Sequence, residues 1–191
     1  MIVYDIEIVK AIPNKDGSRV EGVEYCEGWK DHANMGVSVI CAYDYETDRY
    51  RVFCRDNWSA FADLAAKSKP LVGFNSLAFD DQVVRHADLL VCTEYDLLVE
   101  LWKAAGLGGA FEYPSHIGFG LDAAAKANGV GQKTGYGGTA PVYWQQGKIG
   151  DVIDYCLEDV RLTKRLLDKV LRSGTLADPR FPDQKLTMRR P

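Results

Sequence analysis

Residues 2–8 read Ile2-Val3-Tyr4-Asp5-Ile6-Glu7-Ile8. The run is β-branched and aromatic and it alternates, which is the pattern of a strand. Successive strand side chains leave opposite faces, so Asp5 and Glu7 project from the same one. Two like charges on an apolar strand are costly when buried unless something offsets them. A divalent cation is one such partner, because hard cations take carboxylate oxygens. An edge strand with a wetted face carries the same pattern, and the pair alone does not separate the two readings.

Working outward, residues 11–33 are rich in Gly, Lys, Asp and Glu around Pro13 and read as a long loop. Residues 36–43 (GVSVICAY) form a second, largely buried strand, and Asp44 to Asp48 turn the chain into a third at 49–54. The three make an antiparallel meander. Residues 58–67 carry Trp58, Phe61, Leu64 and Ala65 at helical spacing, with Trp58 and Phe61 assigned to the core. After a break at Ser68 to Pro70, residues 71–74 (LVGF) read as a short buried strand. A helix is expected from Ala78 through Val84 to Ala87, and a short strand near 89–92. Another helix covers 95–105, with Trp102 in the core, and is ended by Gly106, Gly108 and Gly109. Residues 120–128 form a further short helix. The segment 129–148 holds six glycines and no clear period, and is expected to be loop. The last helix is expected from Ile149 to Leu171, with Ile153, Leu157, Val160, Leu167 and Val170 facing inward. Residues 173–191 read as a poorly anchored tail. Strands first, then helices alternating with short strands, indicate a single α/β domain with a mixed sheet.

Composition narrows the class. The chain has 191 residues, 47% hydrophobic and 26% charged, which suits one folded domain. With 23 basic and 27 acidic side chains the net charge is −4, so a grip on nucleic acid by bulk counterion release is disfavoured and any such binding must be local. Five cysteines without a C-x-x-C pair suggest neither a disulfide framework nor a zinc cluster, and reduced thiols fit a cytoplasmic protein. The first ten residues have no signal-peptide pattern, and no run of 18 apolar residues exists, so no membrane association is expected.

Two further segments carry acids in informative places. Asn75-Ser76-Leu77-Ala78-Phe79-Asp80 follows a short apolar strand, and Asp80 falls near the first turn of the helix beside the anchor Phe79. Asp81 would take its place only if the helix turned through about 100°. Acids at a helix N-terminus also complement its dipole. Tyr155-Cys156-Leu157-Glu158-Asp159 places Tyr155 and Asp159 at i and i+4, on one helix face. That helix is also acidic early and basic late, as the macrodipole favours.

Order, spacing and context together resemble the three motifs of the DEDD exonucleases, which have a ribonuclease H-like fold. D-I-E is similar to the first motif, N-S-L-A-F-D to the N-x-x-x-F-D of the second, and Y-C-L-E-D to the Y-x-x-x-D of the third. The wording is close to the proofreading domains of family-B DNA polymerases, over residues 1–172. Asp154 stands where the histidine branch of the superfamily has its histidine, so the tyrosine (DEDDy) branch is the match. The resemblance implies a sheet with three antiparallel strands followed by parallel ones, flanked by helices. It implies a 3′→5′ exonuclease that releases nucleoside 5′-monophosphates with two Mg²⁺ or Mn²⁺ ions about 4 Å apart. Asp5 would bridge the ions, Glu7 and Asp159 would complete the first, Asp80 would support the second, and Tyr155 would orient the attacking water.

The partner implied is a nucleic acid with a free 3′ end, with single-stranded DNA favoured by the polymerase-like wording. A ribonuclease D-like exoribonuclease and a catalytically silent ribonuclease H-like binding module are the alternatives. Asn75 and Phe79 belong to the second motif and are candidates for substrate contact. Lys133, in a glycine-rich loop with Tyr136, Tyr143 and Trp144, is a candidate to hold a phosphate while the aromatics stack a base; aromatics packed down on the core are the other reading of that loop. G-V-G-Q-K-T lacks the spacing and the preceding strand of a P-loop. Arg161, Lys164 and Arg165 suit either backbone phosphates or a solvated helix end.

Overall fold

A computed structural model describes residues 1–135 and 137–191. The chain runs β1 (Ile2–Ile8), α1 (His32–Met35), β2 (Val37–Asp44), β3 (Arg49–Phe53), α2 (Trp58–Lys67), β4 (Leu71–Gly73), α3 (Asp80–Arg85), β5 (Tyr95–Asp96), α4 (Leu97–Ala104), α5 (Leu121–Ala127), a single 3₁₀ turn (Gly137–Thr139), α6 (Ala140–Gln145), α7 (Ile149–Ser173), β6 (Thr175–Ala177) and β7 (Lys185–Thr187). The main sheet has five strands in the order β3-β2-β1-β4-β5. β1 pairs antiparallel with β2, and β2 with β3, while β4 and β5 are parallel to β1. This is the α/β architecture with a mixed sheet expected from the sequence, and it is consistent with a ribonuclease H-like fold.

The period of two in β1 sorts its side chains between two cores. Ile2, Tyr4, Ile6 and Ile8 pack with Ile40, Phe53 and Leu71 against Phe61 and Ala65 of α2 and Val83 and Val84 of α3. Val3 lies on the other face with Val39, Cys41 and Val72, under Val152, Cys156, Val160, Leu166 and Leu167 of α7. Asp5 and Glu7 continue the Val3 row, so they emerge where α7 crosses β1. The β1–β2 register shifts between Glu7 and Ile8, an irregularity that ends regular pairing beside the carboxylates. β1 is also where strand order reverses, with β2 on one side and β4 on the other. In open α/β sheets, ligands bind at the carboxyl ends of strands next to such a switch point.

Several expectations are corrected. The segment 129–148 is not all loop: Gly137–Thr139 and Ala140–Gln145 are helical. Pro141 stands in the first turn of α6, where a missing N–H costs nothing, and Ala140 and Pro141 are buried. No strand forms at 89–92; Leu89 and Val91 are buried in loop, and the fifth strand is Tyr95–Asp96. α4 starts at Leu97 rather than 95 because Asp96 caps it, accepting from the Leu98 and Val99 amides. α3 starts at Asp80, since Asn75 to Phe79 make a turn closed by the Phe79 amide on the Asn75 carbonyl at 3.1 Å. Within α7, Ile153 and Leu157 are half-buried while Val152 and Cys156 take the deepest positions.

The poorly anchored tail at 173–191 is likewise corrected. β6 and β7 form an antiparallel hairpin, and Leu176, Leu186 and Met188 are buried against the α7 side of the core. Arg189 bonds to Glu100 of α4 at 3.1 Å, and the Tyr95 hydroxyl donates to the Arg189 carbonyl. Tertiary burial of three spaced apolar side chains organises a segment too short to show a period. No helix among the described residues is long and apolar enough to cross a membrane.

Candidate active site

The three acidic motifs meet in one pocket. Asp5, Glu7, Asp80, Asp159 and Tyr155 all line it, as do Asn75, Phe79 and Lys133. Asp5, Glu7 and Asp159 each offer an oxygen within 4.8 Å of the others. Asp80 approaches from the opposite side of β1, and its Oδ1 accepts the Ile6 amide at 3.1 Å. The structure also separates Asp80 from Asp81. Asp81 is turned away and accepts from the Tyr4 hydroxyl, the Thr93 amide at 2.8 Å and the Thr93 hydroxyl at 2.9 Å. Asp80 alone of the two lines the pocket.

The turn carrying Asn75 and Asp80 is held by a residue whose role the sequence reading missed. Asp96 accepts the Asn75 amide at 2.8 Å and the Leu77 amide at 3.0 Å while also capping α4. Its signal was present as an aspartate before an apolar run, but it lay inside the expected helix 95–105. Asn75 itself has φ +67°, a left-handed conformation that asparagine tolerates better than most residues. Gly73 is required just before it, since a Cβ there would lie 1.8 Å from the Ser76 hydroxyl oxygen.

Electrostatics at this point are adverse. Burial first, then Asp80, Asp159 and Glu7, push the Asp5 carboxyl well above the usual range. Burial and then Asp159 do the same for Glu7. Burial raises Asp80 to about 7, against the opposing pull of backbone amides. Asp159 is also raised, burial outweighing its pairing with Lys133. Cys156 donates through Sγ to the Asp5 carbonyl at 3.4 Å and to Asp5 Oδ2 at 3.7 Å.

Lys133 reaches into this cluster instead of standing free on a loop. Its ammonium donates to Asp159 Oδ2 and, at 3.0 Å, to the Tyr155 hydroxyl. Burial would lower its pKa, but Asp159 outweighs burial and holds it above the ordinary lysine value. Burial and Asp159 raise the Tyr155 phenol to about 12, so it stays protonated. The glycines that obscured the period at 129–148 have a steric purpose here. A Cβ on Gly135 would lie 3.0 Å from the Tyr155 ring, and one on Gly137 3.1 Å from its hydroxyl oxygen. The loop packs flat against Tyr155 because it lacks side chains at those points.

The donor set fits a hard divalent cation. It offers carboxylate oxygens on several elements, and Asp159 Oδ1 is buried without a hydrogen-bond partner among the described residues. One lysine offsets only part of the charge.

The remaining candidates lie elsewhere. Lys164 bonds Asp168 at 2.7 Å and lies over Tyr43, Arg161 lies over Tyr50, and Arg165 bonds the Val130 carbonyl at 3.0 Å. All three are thus engaged within the protein. Tyr143 and Trp144 pack partly buried against the α7 side of the core, and Tyr136 falls outside the described residues. Phe61 and Trp102 are buried as expected, and Trp58 packs partly buried against the α2 side of the core.

No protein-family model matches the sequence, and comparison with curated proteins finds no match. Among solved structures, the family B DNA polymerase from the hyperthermophilic archaeon Pyrobaculum calidifontis is similar, with a TM-score of 0.55 and 19% identity. The match covers 89% of this chain and 24% of the polymerase chain, so this chain spans about a quarter of that length. At this identity the likeness shows the fold alone.

Proposed function

We propose that this chain is a metal-dependent 3′→5′ exonuclease of the DEDDy type, acting on single-stranded DNA and releasing nucleoside 5′-monophosphates. The observation that carries the reading is the convergence of Asp5, Glu7 and Asp159 oxygens within 4.8 Å, with Asp80 and Tyr155 on the same pocket. A fold shared with part of a DNA polymerase supports it.

Asp5, Glu7, Asp80 and Asp159 would hold two Mg²⁺ or Mn²⁺ ions. Bound there, the ions would supply Lewis acidity for a nucleophilic water and for the leaving 3′ oxygen. The chain's own residues do the positioning. Asp96 fixes the turn that sets Asp80, and Ile6 orients the Asp80 carboxylate. Tyr155, a phenol at neutral pH, offers a hydroxyl to orient water at the phosphorus. Lys133 holds that hydroxyl at 3.0 Å and provides positive charge near a developing phosphorane.

The test is digestion of a 3′-labelled oligonucleotide with Mg²⁺ or Mn²⁺. Asp5→Ala and Asp159→Ala are expected to abolish release of labelled mononucleotide, and unchanged activity in both refutes the assignment. Matched DNA and RNA oligonucleotides run side by side decide the nucleic acid, and faster loss of RNA would replace the DNA reading with a ribonuclease D-like one.

A further inference from the structure

The pocket has a chemically mixed lining. The carboxylates of Asp5, Glu7, Asp80 and Asp159 share it with the apolar side chains of Trp29, Phe79, Phe74 and Ile12. Its volume of about 340 Å³ lies at the small end of ligand pockets and suits one nucleotide rather than a run of them. Phe79 arrives with the second motif, but Trp29 comes from the segment 11–33, which no motif covers.

Trp29 is 66% exposed, so it adds little to the core. Its ring centroid lies 6.0 Å from that of Phe79, and His32 meets the same phenyl edge-on at 5.9 Å. The turn that carries it is nonetheless firmly tied. The Ala11 amide donates to the Glu24 carbonyl and the Cys26 amide to the Ala11 carbonyl, at 3.0 Å each. The Asp31 carboxylate accepts the Glu27 amide at 2.8 Å, and the Asp31 amide bonds the Gly28 carbonyl at 3.0 Å. Gln145 of α6 ties the segment to the rest of the fold, accepting the Glu24 amide at 2.7 Å and donating to the Val9 carbonyl at 2.9 Å. A large flat apolar ring left in water on an anchored turn loses little conformational entropy when a ligand covers it. Every nucleobase has a π-face that such a ring can stack.

We infer that Trp29, flanked by Phe79, is the stacking platform for the base at the 3′ end of the strand, which makes the segment 11–31 a specificity determinant of this site. The inference rests on the exonuclease reading of the carboxylates. A nucleotide joins an anionic phosphate to a flat apolar ring, and the pocket presents both cation-binding oxygens and aromatic surface. Ile12 to Lys15 and Gly137, Gly138 and Pro141 also line the pocket. At about 340 Å³ it has room for one nucleotide but not for a base together with its complement, so the platform selects an unpaired end.

The test uses oligonucleotides identical except for the 3′-terminal unit, thymidine or an abasic analogue. The wild-type protein is expected to show a KM about 5- to 100-fold higher on the abasic end, the range that base–aromatic stacking supplies. Trp29→Ala is expected to raise KM on the thymidine end to the abasic level with kcat little changed, and Trp29→Phe to restore most of the difference. Full discrimination retained by Trp29→Ala overturns the inference. A second arm needs no turnover: quenching of a 3′-terminal 2-aminopurine on titration with protein in Ca²⁺. Quenching that disappears in Trp29→Ala supports the platform even if the wild type digests nothing, which would refute the exonuclease reading alone. Equal quenching by both proteins refutes the platform.

Discussion

The crowded carboxylates make a thermodynamic prediction that requires no substrate. Burial raises Asp80 from the ordinary 3.8 to about 7, and Asp5, Glu7 and Asp159 shift in the same direction. Between those two pH values the folded chain keeps a proton that the unfolded chain has released. Stability contributed at low pH is therefore lost as pH rises, at about 1.4 kcal/mol per pH unit for each such group. For Asp80 the whole window amounts to roughly 4 kcal/mol. A domain of this size moves by about 2–4 °C per kcal/mol, so the melting temperature in EDTA should fall by on the order of 10 °C as pH is raised across the window. Carboxylates held low by partners, such as Asp44, Glu100 and Asp122, have the opposite sign, but their transitions end near the ordinary values of 3.8 and 4.5, below about pH 5. Thermal melts from about pH 5 to pH 7.5 thus isolate the buried cluster. Asp80→Asn keeps an acceptor for the Ile6 amide and cannot ionise, so it should flatten the profile and melt higher than the parent at the alkaline end. Mn²⁺ in excess should also flatten the parent's profile, adding about 2.7 kcal/mol at a hundred times its Kd. A level or rising profile in EDTA, or one that Asp80→Asn leaves unchanged, refutes the claim that these acids are desolvated and mutually repelled.

Two further outcomes test the scaffold. Asp96→Ala strands the Asn75, Leu77 and Leu98 amides and removes a helix cap, so it should destabilise by about 2–4 kcal/mol in urea unfolding and lower kcat through the displaced Asp80 turn. Deleting residues 175–191 uncovers the core beneath Leu176, Leu186 and Met188 and frees Glu100 from Arg189. The truncated chain should melt well below the parent, and an unchanged melt would show that the hairpin does not contribute to the fold.

The sequence by itself determined most of the elements of the sheet and the residues proposed for the site. Alternation in Ile2–Ile8, helical spacing in Trp58–Lys67 and the amphipathic Ile149–Ser173 segment are local patterns set by chain geometry, and each became the expected element. Motif order was enough to single out Asp5, Glu7, Asp80, Tyr155 and Asp159, and the structure gathers all five at one pocket. Tertiary structure decided what local pattern does not encode. The helix at 140–145 and the hairpin at 175–187 exist because distant apolar surface receives them, not because of periodicity of their own. Lys133 meets Asp159 and Tyr155 where Gly135 and Gly137, which lack side chains, approach the tyrosine closely. Asp96 gains its grip on Asn75 through the parallel register of β4 and β5. Trp29 is 50 residues from Phe79 in the chain and stands beside it once α1 and α3 pack together. Contacts of that kind depend on long-range burial, and no window of sequence contains both partners.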